Sequence, residues 1–410
     1  MNGKLAGIIA AAAVAGMFLA YSYTDSAGQE RNHDPIASVD KSLVRQTNDF
    51  GFRFYSQVSE GDDNLFFSPT SIDAAFALVY EGASGDTAGS ISDTFGFEAE
   101  DAKRREQYSS VVSMLNSGGS RYSLSTANAL WVSDIYQLNS TYVDIARDYY
   151  DSPVQSVDFV TDHGVNAINS WADRTTNGRV EKLLEPGSTD ELTLVAITNT
   201  IYFKGEWLYP FTPGLTWDSK FHVSEVETVT VQMMNHRMDP INHMQNDTVQ
   251  IIELPYKGDR LSMLVMLPAD KNQIQKLESE LSGASVSKWR SQMSETAAEV
   301  YLPRFSSETG YDLRELLIQM GMDLPFDKYK ADLSGIADYP ERIYIDQAVH
   351  KAAVEVNELG TEAAAATGAV AKLQSGMPVT FRADHPFVYV IQDDHTGRIL
   401  FMGRVIDPTK

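Results

Sequence analysis

Ser38-Val-Asp-Lys41 and Ser285-Val-Ser-Lys288 each set a lysine amine three residues from a serine hydroxyl. That is the spacing at which an amine can take the proton of an acyl-transfer nucleophile. The companion Ser-Asp-Asn and Lys-Thr-Gly motifs of such hydrolases are absent, and two chance matches are unremarkable in 410 residues. His236 and His243 lie seven positions apart with Asp239 between them, a spacing read as surface histidines rather than a metal site. There is no Gly-x-Ser-x-Gly elbow, His-Glu-x-x-His, Gly-x-Gly-x-x-Gly or phosphate-binding loop. With zero cysteines there is also no thiol nucleophile, thiolate metal site or disulfide framework. No enzyme activity, metal or cofactor is expected. The chemistry this chain offers is that of something attacked.

The segment that carries this reading is Glu358-Leu-Gly-Thr-Glu-Ala-Ala-Ala-Ala-Thr367. Four consecutive alanines suggest a helix on propensity alone. A glycine precedes them, however, and the loop-like run Gly368–Pro378 follows. The alternative is a segment kept short in side chain so that it can slide between two strands of an existing sheet. Side chains alternate along a strand, so Thr361, Ala363, Ala365 and Thr367 would share one face, and Glu362 would take the other with Ala364 and Ala366. All four are small enough to enter a packed interior. Gly360 to Thr367 therefore reads as the hinge of a bait loop.

The elements that must hold such a loop are legible in outline. Leu43, Phe50, Phe54 and Val58 recur near helical spacing. Ser68 as N-cap and Pro69 at the first helical position open a second helix, with Ile72, Ala75, Phe76 and Val79 on one face. Val165–Asp173 is a further helical stretch. Strand patterns then follow at Leu192–Phe203, Thr228–Met234, Gln250–Tyr256, Leu261–Leu267, Glu299–Leu302 and Ile343–Val356, with buried strands at Phe387–Ile391 and Leu400–Val405. Helices first and strands later indicate an α+β domain. No linker-like stretch interrupts the chain after residue 40, so one large domain is expected. Hydrophobic residues make up 43% of the chain, enough for an extensive core.

The net charge of −23 argues against nucleic acid, polyanions and anionic membrane surfaces as partners. At the N-terminus Lys4 precedes the apolar run Leu5–Tyr21, with Ala20-Tyr-Ser22 as a small-x-small cleavage site. This is the layout of an export signal, though about 17 apolar residues also approach the length of a membrane anchor. Asn139-Ser-Thr141 and Asn246-Asp-Thr248 are glycosylation-acceptor patterns, meaningful only in a host that glycosylates exported proteins.

Five segments in order resemble the serpin family. They are Asn64-Leu-Phe-Phe-Ser68-Pro69-Thr-Ser71-Ile72, Thr198-Asn199-Thr-Ile-Tyr-Phe203-Lys-Gly205-Glu-Trp207 and Asp346-Gln-Ala-Val-His350-Lys-Ala, then the hinge, then Asp384-His-Pro386-Phe387-Val-Tyr-Val-Ile with Ile399-Leu-Phe401-Met-Gly403-Arg-Val. The resemblance implies a serpin fold: helices packed on a large central β-sheet, further β-sheets, and an exposed reactive-centre loop at about 358–380. It divides the chain into a signal peptide or anchor (1–22), a linker (23–39) and a serpin domain (40–410).

The resemblance also implies that a serine or cysteine protease attacks the loop and forms a covalent acyl-enzyme, after which the cut hinge inserts as an extra strand. In the family the cleaved bond usually follows the fourteenth residue after the hinge glycine. Counted from Gly360, this is the bond Gln374–Ser375. A shorter reading of the loop makes Leu373 or Lys372 the specificity residue. Ser68, Ser71, Asn199 and His350 match a polar cluster that the family places where the central strands part, and Trp207 matches a residue near where insertion begins. A secreted or cell-surface monomer is expected, anchored through residues 5–21 if the apolar run is kept. No polyanion activator is expected, since Ser113–Tyr122 is not basic.

Overall fold

The computed structural model describes residues 40–116, 122–176, 178–180, 182–338, 342–361 and 377–410. The hinge beyond Thr361, and Lys372, Leu373, Gln374 and Ser375, lie outside the described residues, as do residues 1–39.

The helices are α1 (Lys41–Val58), α2 (Pro69–Glu81), α3 (Gly85–Phe95), α4 (Asp101–Asn116), α5 (Ser140–Tyr150), α6 (Asp162–Thr175), α7 (Ile274–Glu280), α8 (Gly283–Ser291) and α9 (Leu313–Gln319). The strands run β1 (Leu65–Phe67), β2 (Tyr122–Ser133), β3 (Gln137–Leu138), β4 (Val154–Val157), β5 (Val195–Glu206), β6 (Trp217–His222), β7 (Thr228–Gln245), β8 (Val249–Pro255) and β9 (Leu261–Pro268). They continue with β10 (Ser294–Pro303), β11 (Phe305–Asp312), β12 (Ala337–Asp338), β13 (Gln347–Asn357), β14 (Gly360–Thr361), β15 (Val379–Arg382), β16 (Phe387–Asp393) and β17 (Ile399–Val405).

Local chemistry explains the starts. Asp40 caps α1 by accepting the Ser42 N–H at 2.8 Å, and Ser68 caps α2 by accepting the Ser71 N–H at 3.1 Å, with Pro69 leading the helix. The sequence led us to expect α2 to be apolar on one face. It is instead buried at every position from Pro69 to Val79, because it lies between a sheet and other helices and has no solvent side. The expected Ile343–Val356 strand begins later, at Gln347, and Thr228–Met234 is the first part of a longer strand reaching Gln245.

Two sheets frame the core. One follows the order β1-β17-β16-β9-β8-β7-β10-β15, with β6 paired to β7; the other runs β11-β13-β14-β5-β2-β4. Strands β16 and β17 are buried along their whole lengths, which accounts for their unbroken apolar runs. Gly360 and Thr361, the described start of the hinge, belong to the six-stranded sheet.

Candidate functional site

Strands β5 and β13 run parallel and pair directly at seven positions, from Ala196 with Gln347 to Tyr202 with Ala353. Beyond that the two separate. The chain leaves β13, reverses through Glu358 and Leu359, and comes back between them as β14. Thr361 pairs with Val356 on one side and Gly205 on the other, antiparallel to both. The six-stranded sheet is therefore a seam with its first two residues of filling already in place.

Each of those residues suits the slot. Gly360 has φ +150°, and a Cβ there would lie 1.9 Å from the Gly205 carbonyl oxygen, so no other residue fits without displacing backbone. Thr361 is fully buried, and its hydroxyl lies 2.8 Å from that of Tyr256, which gives the polar atom a partner inside the core. Trp207 stacks on Tyr256 with centroids 4.5 Å apart and donates its indole N–H to the Asn357 carbonyl at 3.0 Å.

A latch holds the turn. Arg304 donates from Nε to both Glu358 carboxylate oxygens at 2.9 Å, and the Thr216 hydroxyl donates to the same group. Backbone N–H groups of Trp207 and Phe211 donate to the carbonyls of Leu359 and Glu358 at 2.9 and 2.8 Å. Burial pushes the Glu358 carboxyl up, but the hydrogen bonds from Arg304 and Thr216 outweigh it and hold the group below its usual range.

A polar cluster lies at the middle of the seven paired positions, where His350 sits opposite Asn199. The Ser68 backbone N–H donates to His350 Nε2 at 3.2 Å, so the ring proton resides on Nδ1, which bonds Asn199 Oδ1. The Asn199 amide donates to the Ser71 hydroxyl (2.6 Å), the Ser71 carbonyl (3.1 Å) and Asn128 Oδ1. The Ser68 hydroxyl donates to the Leu400 carbonyl at 2.6 Å while capping α2. Burial lowers the His350 pKa to about 3, so the ring is neutral at physiological pH. Three strands and one helix are tied through one imidazole and one amide.

The structure thus brings Ser68, Ser71, Asn199 and His350 together. Trp207 is not among them; it belongs with Gly360 and Thr361 at the filled end. Sequence reasoning missed Asn128, Tyr256, Thr216 and Arg304. Only Asn128 left a trace, as an isolated amide between Ala127 and Ala129, while Arg304 lies far from Glu358 in the chain.

Among the described residues no rival site assembles. Ser285 is used as a capping residue, its hydroxyl taking the Ser282 N–H at 2.8 Å. Ser38 lies outside the described residues, and Lys41 opens α1. His236 and His243 both sit on β7, roughly 23 Å apart along an extended strand, too far to share one ion. Burial lowers both pKa values.

Comparison with known proteins agrees with this geometry. Residues 45–408 match the family model described as Serpin (serine protease inhibitor). The chain is 38% identical over 372 residues to an uncharacterized serpin-like protein of Methanosarcina acetivorans, covering 89% of this chain and 86% of that one. It is 37% identical over 355 residues to the leukocyte elastase inhibitor of Bos taurus, covering 84% and 93%. Among solved structures, human thyroxine-binding globulin complexed with thyroxine superposes with a TM-score of 0.82 at 28% identity, over 90% of this chain and 99% of that one. With Gly360 and Thr361 seated between β5 and β13 and a family match over most of its length, the chain belongs to the serpin family.

Proposed function

We propose that this serpin is an irreversible, single-turnover inhibitor of serine proteases, with cysteine proteases as a second target class. A protease attacks the bond Gln374–Ser375 and becomes acylated; the freed strand then enters the seam before water can release the enzyme. The observation that carries this reading is Thr361, already buried between β5 and β13 and antiparallel to both. Insertion only has to continue what β14 has begun.

Continuing the β14 register makes the path concrete. Ala363 and Ala365 follow on the inner face, and Thr367 arrives opposite both His350 and Asn199, in the middle of the polar cluster. The link between His350 and Asn199 must break there, and a threonine hydroxyl can serve both groups in its place. An inserted strand of about 14 residues adds on the order of ten backbone hydrogen bonds, each worth roughly 1 kcal/mol net. That total rivals the stability of an ordinary domain, about 5–15 kcal/mol.

Export belongs to the same reading: Lys4 and the apolar run Leu5–Tyr21 direct the chain out of the cytoplasm, as a removed signal or a retained anchor. A second reading is ligand carriage without trapping. A cleft of about 860 Å³ between α1 and α8, floored by Val44, Phe52 and Val286, favours it, and the thyroxine complex shows such use in a relative. The hinge favours trapping, because Thr361, Ala363, Ala365 and Thr367, which share one face, are all small and uncharged.

Incubation with a panel of serine and cysteine proteases separates the two. Trapping gives an SDS-resistant adduct and a released C-terminal peptide beginning at Ser375. Clean cleavage with no adduct by every protease tried would leave carriage as the better account.

A further inference from the structure

The strand that follows the loop borders a surface used by nothing described so far. Strand β15 begins just after Met377, which is fully exposed, and pairs in parallel with β10, setting Arg382 opposite Tyr301 and Thr380 opposite Glu299. On the other side of β10, β7 sets Arg237 opposite Glu299, and β6 adds Trp217 beyond. Alternation turns Phe381, Val300 and Met238 into the core, leaving Arg382, Tyr301 and Arg237 on the outer face.

Three side chains stack across that face. The Trp217 and Tyr301 rings meet edge to face with centroids 5.8 Å apart, and the Arg382 guanidinium lies 4.0 Å from the Tyr301 ring centroid. Trp217 remains 40% exposed. Among the described residues, neither Arg382 nor Arg237 has a carboxylate within ion-pair distance. Glu299 accepts the Tyr301 hydroxyl at 3.1 Å, and Asp384, which feels the Arg382 charge, is bonded to His385 at 3.0 Å.

Trp, Tyr and Arg are the residue types that dominate binding energy at protein interfaces. The ring beneath Arg382 restrains its side chain, so less freedom is lost when a carboxylate docks on it. On a chain of net charge −23, Arg382 and Arg237 offer two guanidinium groups that Glu299 and Asp384 leave without an ion pair. Its position selects the occupant. Arg382 lies roughly 17 Å of extended chain beyond Met377. An enzyme gripping the loop brings its rim over that distance. Stable protein complexes bury about 800 Å² per partner, more than an extended loop alone offers.

We propose that Trp217, Tyr301 and Arg382, with Arg237 at the edge, are a secondary docking surface for the attacking protease, receiving a carboxylate-bearing segment beside its cleft. This rests on the inhibitory reading. The surface belongs to the nine-stranded sheet, not to the seam, so it acts on encounter and leaves insertion alone.

The test uses the protease that the panel identifies. Second-order trapping rates are measured at about 50 and about 500 mM salt for the parent, for Arg237→Glu/Arg382→Glu and for Trp217→Ala, with melting temperatures as a folding check. The charge-reversed protein should trap about tenfold more slowly at low salt, the gap narrowing at high salt as screening grows. Trp217→Ala should be slower at both, and inhibitor consumed per protease trapped should stay at the parent value. Rates within about twofold of parent for both variants, or an altered stoichiometry in place of an altered rate, would overturn the docking surface. A parent that forms no adduct with any protease removes the inhibitory reading itself, a failure visible before any variant is made.

Discussion

Thr361 is the residue on which the hinge turns, and the structure sharpens what a charge there would do. Thr361→Arg would stall insertion after cleavage, since the side chain at this position must enter a packed interior. Since Thr361 is buried and bonded to Tyr256 before any cut, the arginine would also expel β14 from the intact protein. Burying an unpaired charge costs several kcal/mol. The variant should be cleaved and released as a substrate, with the inhibitor consumed per protease trapped rising several-fold. Retained parental stoichiometry would contradict the role given to the seam. His350 supplies a second prediction. Its folded pKa of about 3 lies below the ordinary 6.5, so the unfolded chain binds more protons between those values. Its neutral form therefore contributes fully above pH 6.5, and that contribution falls as pH drops toward 3. From pH 6.5 to 5 the loss is about 2 kcal/mol. Burial raises Asp73 and Asp394 to about 6, and these work in the opposite sense as pH falls through 6. Comparison of slopes isolates the imidazole: His350→Gln should lose less stability than the parent, by about 2 kcal/mol, when denaturant unfolding is compared at pH 7 and 5.

At the scale of elements, legibility follows from whether a role depends on local pattern. The strand character of Gly360–Thr361 was readable because the run of short side chains that begins there is written in consecutive residues, and α2 because Ser68-Pro69 is a local start signal. Its burial on all faces was not, since nothing within α2 says that a sheet covers its far side. The latch was equally hidden: Arg304 and Thr216 meet Glu358 only through tertiary folding. Strand β2 escaped notice because its serine, threonine and alanine content weakens the apolar alternation, yet it carries Asn128 to the cluster. Trp207, which the family pattern puts near where insertion begins, lies just past the end of β5, against Tyr256 and the Asn357 carbonyl. The latch yields its own prediction. Glu358→Gln removes a bidentate charged pair worth roughly 1.5–3 kcal/mol and keeps the shape. Amide hydrogen exchange at Leu359, Gly360 and Thr361 should quicken by about tenfold or more, while exchange in β16 and β17 stays as it was. Uniform exchange across all of these would mean that the pair does not hold the turn.

For the whole molecule, the decisive quantity is the free energy separating the intact form from the one with a completed sheet. The intact protein leaves seven positions of β5 and β13 paired directly, where an intervening strand would give each its own new neighbour. Nicking the loop near Gln374 should raise the melting temperature by tens of degrees, since ten added bonds at roughly 1 kcal/mol each are a large increment. A crystal of the nicked protein should show Thr367 bonded to His350 or Asn199. An unchanged melting temperature would leave the intact form as the stable one. The sequence indicated the fold class through helices preceding strands, but the division into a nine-stranded and a six-stranded sheet depends on pairings across long loops, which no local pattern encodes.

The seven-rung join between β5 and β13 also governs how the protein must be supplied. Once opened and refilled, those rungs offer no route back, because every alternative arrangement has fewer partners for the same backbone. Under the proposed trapping mechanism a spent molecule is not recycled, so protection would scale with the number of copies made rather than with how tightly each one grips.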